Sequence, residues 1–271
     1  MYIPKPLENK VTISQLKRLK QEGEKFACLT AYDYSFARLV EECGVEVVLV
    51  GDSLGMVIQG HDTTIPVKLD DIRYHGKAVA AGLDNALLML DMPFGSLNSP
   101  QQALDNASAL IKETEAQVVK LEGWRSQLWI VEALAHFGIA SCAHLGLQPQ
   151  MVHKMGGYRV QGKARAAAEA MLATARELES AGTDLLLLEC VPAALAAEIT
   201  AALEIPVIGI GAGPGVDGQI LVLQDILNIT PGKKPKFSKN FMRGQNSIQS
   251  AISRYVSEVK RGKFPQKMHS F

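Results

Sequence analysis

The stretch Glu46-Val-Val-Leu-Val-Gly-Asp-Ser-Leu-Gly55 decides how this 271-residue chain is read. Val47 to Val50 form a short apolar run, β-branched at three of four positions, which predicts a buried strand. The run breaks at Gly51 and then presents Asp52 and Ser53. The same ending recurs in Leu87-Leu-Met-Leu-Asp91, in Val118-Val-Lys-Leu-Glu122 and in Leu185-Leu-Leu-Leu-Glu189. A single acid at a strand end is ordinarily a helix cap. Four apolar runs each releasing one acid at the same end predict a shared face, at the strand ends where parallel α/β folds carry their chemistry.

Working outward, the patterns predict strands at 26–30, 47–50, 87–91, 117–121, 139–143, 185–189, 206–210 and 219–223, with amphipathic segments between most of them. Thr12-Ile-Ser-Gln15 reads as a capping box opening a helix before the first strand, placed to plug the far end of a barrel. Ser99-Pro100 with Gln102 reads as a second one, and a closing helix is expected over 246–260. The segments 56–66 and 148–163 read as long loops, and a loop as long as 148–163 in a compact domain is usually functional or disordered. Eight strands alternating with helices predict an α/β fold, a (β/α)8 TIM barrel forming one domain over 1–271, with an added helix at each end.

Composition narrows the function. Lys plus Arg and Asp plus Glu both number 28, with no basic block, which argues against nucleic acid as partner. No apolar run approaches the roughly 18 residues of a membrane span, and the start lacks a signal-peptide core, so no membrane partner and a cytoplasmic location are expected. Cys28, Cys43, Cys142 and Cys190 form no CxxC pair and sit in apolar segments, as reduced packing thiols do.

Side chains alternate along a strand, so Lys120 and Glu122 share a face, as do Val48, Val50 and Asp52. Carboxylates gathered without arginines repel one another unless a cation is present, and two of them with open positions suit Mg²⁺. Such an ion can hold a 2-oxo acid and stabilise its enolate, while an acid outside the metal's shell takes the proton. Glu189, preceded by four leucines, is the candidate base. A lysine in a strand needs an anion, so Lys120 faces either a substrate carboxylate or Glu122. His144 is either a hydrogen-bonded structural residue or a donor facing substrate. Gly213-Pro-Gly215-Val-Asp-Gly218 fits a dinucleotide fingerprint only formally, since no helix obviously follows it. A phosphate site or tight backbone turns remain as its readings.

At this point the sequence resembles ketopantoate hydroxymethyltransferase. The resemblance rests on blocks such as Leu29-Thr-Ala-Tyr-Asp33, Val50-Gly-Asp-Ser-Leu-Gly-Met56, Gln59-Gly-His-Asp62, His144-Leu-Gly-Leu147, Gly156-Gly-Tyr-Arg-Val-Gln-Gly162, Leu188-Glu-Cys-Val-Pro192 and Lys236-Phe-Ser-Lys-Asn-Phe241. It implies transfer of a one-carbon unit from methylenetetrahydrofolate to 3-methyl-2-oxobutanoate, giving 2-dehydropantoate on the route to pantothenate and coenzyme A. Carried over by position, Asp52 and Asp91 would coordinate Mg²⁺, with Glu122 beside the metal directly or through water. Asp52, Ser53, Asp91 and Lys120 would bind the oxo acid, and Glu189 would be the general base. The resemblance also implies a homo-oligomer, a decamer built as a pentamer of dimers. The turn Gly123-Trp-Arg-Ser-Gln-Leu-Trp129 and an extension over residues 1–10 depart from the family pattern. Rival readings are a metal-dependent barrel of the isocitrate-lyase and phosphoenolpyruvate-mutase kind, whose lyase members carry a cysteine motif absent here, and a silent metabolite-binding barrel, which would have lost an acid.

Overall fold

The computed structural model describes residues 6–232 and 234–271. Eight strands, β1 (Phe26–Thr30), β2 (Val47–Val50), β3 (Leu87–Asp91), β4 (Val118–Glu122), β5 (Ser141–Gly146), β6 (Leu185–Glu189), β7 (Val207–Ile210) and β8 (Gly218–Leu221), run parallel in sequence order and close into a barrel. Their apolar, branched residues suit a surface covered on both sides, and almost every strand residue is buried. Helices such as Tyr34–Glu42, Leu69–Ala80, Pro100–Thr114 and Arg165–Ser180 form the outer layer, their apolar stripes turned onto the strands. The fold expected from the sequence is the fold observed.

The amino-terminal helix Ile13–Glu22 lies under the barrel: Leu16 is fully buried and Lys20 reaches Asp217 Oδ2 at 3.0 Å, just ahead of β8. Thr12 caps it by accepting from Gln15 N at 3.2 Å, one arm of the expected box. At the second box Ser99 accepts from Gln102 N, but the Gln102 side chain accepts from Asn98 N in place of Ser99. The carboxyl-terminal helix Ile248–Lys260 seals the seam where β1 meets β8, its Tyr255 hydroxyl lying 2.9 Å from the Cys28 carbonyl and 2.8 Å from that of Gln219. Gly218 starts β8 against the Phe26 ring, where an added Cβ would come within 2.3 Å. Of the expected extension over 1–10, residues 1–5 lie outside the described residues.

Several boundaries differ from the sequence reading by a residue or two, and the larger differences have local reasons. β5 starts and ends later than 139–143 and takes His144 into the strand, because Ile139 N still bonds back to Leu134 O at the end of the preceding helix. β8 stops at Leu221, since Leu223 N turns to Thr30 Oγ1 at 3.1 Å and opens the short helix Leu223–Ile226. A short helix, Leu54–Val57, leads into the first long segment, and the second carries the turns Pro149–Met151 and Val152–Met155. The glycines after β7 serve close approach: a Cβ on Gly213 or Gly215 would come within 2.4 Å of Ala193 Cβ or 2.7 Å of Ala197 Cβ. Tight backbone turns are thus the reading that fits.

Candidate active site

A cavity of about 680 Å³ opens at the carboxyl-terminal end of the strands. Asp52, Ser53, Asp91, Lys120, Glu122, His144 and Glu189 all line it, so the residues singled out in the sequence meet in one place. Register explains most of this. Asp91 pairs with Lys120 across β3 and β4, and Glu122 with His144 across β4 and β5, so these residues climb the inner wall side by side. Lys120 Nζ donates to Asp91 Oδ1 and Oδ2 at 2.8 and 2.9 Å, and stands 3.5 Å from Glu122 Oε1. Its close partner is therefore Asp91, which neither sequence alternative named.

Asp52 arrives by a different route from the one alternation predicted. Leu49 lines the cavity, so Val48 and Val50 point outward to the helices. Asp52 turns inward only after the chain bends at Gly51, in a turn closed by Gly55 N donating to Asp52 O at 2.9 Å. Its backbone N–H then donates to Asp91 Oδ2 at 3.1 Å, which joins the two acids. Ser53 Oγ shares a hydrogen bond of 2.8 Å with the Tyr32 hydroxyl. Gly146, at φ +98°, lets the chain pass Glu189, where a Cβ would come within 2.2 Å of the Glu189 carbonyl oxygen.

His144 is buried between two acids. Its Nδ1 lies 3.4 Å from Glu122 Oε1 and its Nε2 3.6 Å from Glu189 Oε2, yet neither ring nitrogen is aligned as a hydrogen bond. Its carbonyl is held by Gln148 Nε2 at 2.9 Å. The ring thus lines the cavity between Glu122 and Glu189, close enough to act on both acids.

Burial and mutual repulsion set the electrostatics. Asp52 is held well above the usual carboxylate range, first by burial and then by the neighbouring charges of Asp91 and Glu122. Asp91 is raised by burial, with Lys120 opposing. Burial works against charge on Glu122 too, but Lys120, His144 and the Gln150 N–H outweigh it and leave this acid below its ordinary value. Burial likewise disfavours the Lys120 ammonium, and the attraction of Asp91, Glu122 and Asp52 more than reverses that, so Lys120 stays charged. Glu189 is pushed up to about 8, chiefly by burial and then by Glu122. The four cysteines are free and buried, and burial raises the Cys142 thiol to about 12, as inert packing thiols require.

The donor set suits a hard divalent cation. Asp52 Oδ1 accepts no hydrogen bond from any described residue, and two buried, mutually repelling carboxylates gain most from a cation between them. Among the described residues no three His, Cys, Asp or Glu side chains are arranged to enclose an ion. Glu122 is turned toward Gln150 N at 3.0 Å and Lys120, which places it beside the Asp52–Asp91 pair.

Three features escaped the sequence reading. Gln150 bonds to both Asp52 and Glu122. Tyr32 holds Ser53. Phe237, Lys236 and Phe271 form part of the cavity wall, with Lys236 Nζ 4.6 Å above the Phe271 ring. Tyr32 and Lys236–Phe237 fall in blocks that carried the family resemblance, but nothing in their spacing announced a position at the mouth.

Fold and site together define a class: a (β/α)8 barrel enzyme that sets one weakly acidic carboxyl against a charged cluster in a deep cavity. The sequence profile of the ketopantoate hydroxymethyltransferase family matches residues 10–267, and the chain belongs to that family of transferases. It is 57% identical over 100% of its length to the 3-methyl-2-oxobutanoate hydroxymethyltransferase of Alkalilimnicola ehrlichii, 99% of which is covered. It is 54% identical to the enzyme of that name from Marinobacter nauticus, over 96% of this chain and 98% of that one. The fold, at 12% identity and a TM-score of 0.61, is shared with the phosphoenolpyruvate phosphomutase of Streptomyces platensis subsp. rosaceus, over 80% of this chain and 82% of that chain. No helix among the described residues is long and apolar enough to cross a membrane.

Proposed function

We propose that the chain transfers a one-carbon unit from methylenetetrahydrofolate to 3-methyl-2-oxobutanoate, forming 2-dehydropantoate in pantothenate biosynthesis; its relatives' names describe hydroxymethyl transfer to that oxo acid. The observation that carries this reading is Glu189, a carboxyl poised at about 8 in the same cavity as Asp52 and Asp91. A base at that value is strong enough to take a proton from a carbon acid and accessible near neutral pH. Glu189 would remove the proton on C3 of the oxo acid, the carbon beside the keto group. C3 then forms the new bond to the folate methylene carbon, water supplies the hydroxyl, and tetrahydrofolate leaves. Asp52 and Asp91, with Glu122 alongside, would hold Mg²⁺. When bound, that cation draws electron density from the keto oxygen and makes the C3 proton more acidic. Lys120 opposes the effect of burial on Asp91 and holds it in place through its two hydrogen bonds, and with Ser53 would meet the carboxylate end of the substrate.

The rest of the reading joins two sources: composition and pattern support one domain over 1–271, a cytoplasmic location and no nucleic-acid or membrane partner, and the family resemblance supports small-molecule substrates and a homodecamer. Exposed Tyr74, Phe94, Trp129 and Phe137 are apolar surface that such an assembly would have to cover in part. The test is product formation from 3-methyl-2-oxobutanoate. Activity should require the folate donor and a divalent cation, disappear on chelation, and be lost in Asp52→Ala. Turnover by a thoroughly chelated enzyme would sink the metal part of the reading. A wild-type chain that makes no product would sink the rest.

A further inference from the structure

The turn Pro149–Met151 places Gln150 where the ends of three strands meet. Its Nε2 donates to Asp52 Oδ2 and to the Met92 carbonyl, both at 3.0 Å, and its backbone N–H donates to Glu122 Oε2, also at 3.0 Å. Both side-chain partners are acceptors, so the nitrogen of the amide must face them, and its two protons are fully used. The residue is only 7% exposed, so these bonds compete little with water.

The chemistry of the amide matters. Lys120 holds Asp91 with a cation, whereas Gln150 holds Asp52 with a neutral donor that brings no opposing charge. Gln150 also occupies one defined edge, Oδ2, so that Oδ1 is presented to the cavity. Through its backbone it ties down Glu122 in the same motion. Gln150 also opens the segment whose Tyr158 and Arg159 line the cavity further on, so the wall and the acids share an anchor.

We propose that Gln150 is a positioning residue that sets the orientation of Asp52 relative to Glu122 and so pre-organises the site for a divalent cation. The inference rests on the metal-dependent reading above. Partners that orient a metal's carboxylate ligands typically govern affinity by about 10–100-fold.

The test is calorimetric titration of the intact chain with Mg²⁺ alone, without substrate. Gln150→Met keeps the length of the side chain and the backbone bond to Glu122 but removes both side-chain donors. Its Mg²⁺ affinity should fall about 10–100-fold. Gln148→Met alters the neighbouring buried glutamine, whose Nε2 holds the His144 carbonyl and touches no carboxylate, and its affinity should stay near wild type. Should Gln150→Met fail to fold, Gln150→Asn, one methylene short of Asp52, replaces it with the same expectation. Wild-type affinity in the Gln150 variant, or an equal loss in both glutamine variants, overturns the inference while leaving the metal site intact. A wild-type chain without affinity for Mg²⁺ overturns the metal reading and this inference together.

Discussion

The two ends of the barrel both bury charge, and they treat it in opposite ways. Beneath the barrel, Glu41 accepts from the backbone N–H groups of Asp84, Asn85 and Ala86, with distances between 2.5 and 3.0 Å. Asp217 accepts from Val207 N and pairs with Lys20, and Glu46 accepts from Ala27 N and pairs with Lys260. Each acid there has its own donors. At the mouth, Lys120 is shared between Asp91 and Glu122, while Glu189 receives no hydrogen bond on its carboxylate from any described residue. Uncompensated charge in a cavity marks a site kept for chemistry, and compensated charge marks a joint kept for stability.

Four measurements would break or sharpen this contrast. The largest effect is expected from Glu189→Gln, which should slow solvent-deuterium exchange at C3 of the oxo acid by about 10²–10⁴-fold with its circular dichroism unchanged. Metal-dependent exchange that survives the change would move the base elsewhere. Next comes a pH effect in the presence of chelator. Glu189 sits above its ordinary 4.5, at about 8, so the folded state holds its proton more tightly than the unfolded one. Its contribution to stability is complete below about 4.5 and is lost as pH rises toward 8. Denaturant melts should show wild type losing up to about 1.4 kcal/mol per pH unit relative to Glu189→Gln across that window. Parallel curves would contradict it.

At the opposite end, Glu41→Gln should cost about 2–3 kcal/mol of stability by weakening the charged hydrogen bonds to three backbone groups, with turnover per folded molecule retained. An inactive but stable variant would erase the distinction between the two ends. The smallest effect is expected from Asp52→Asn: without metal it should melt higher than wild type, by about 1 kcal/mol, because one of two repelling acids is gone. A lower melting temperature would show Asp52 to be a structural residue as well.

The contrast also explains what could be read in advance. Strand order, barrel closure and the four acid-ended strands were legible because buried parallel strands demand apolar runs, and those runs stop where the chain meets the cavity. Lys120 and Glu122 were legible through the two-residue period. Asp52 reaches the cavity by another route than alternation predicts, since the bend at Gly51, not the pleat, turns it inward. The extent of β5 was misjudged because His144 looks like a loop residue until its neighbours on β4 and β6 are known. Gln150 was invisible: a neutral amide in a short turn has no period, and its importance lies wholly in partners far along the chain. The length of the loop containing it marks the segment as functional or disordered, but length does not say which residue acts.

Thr30, on the first strand, and Phe271 line the same cavity. The wall of the pocket is thus drawn from both ends of the described chain, and it is whole only with β8 paired to β1 and Tyr255 seated over that seam. The same ring that gives the fold its stability keeps water away from Glu189.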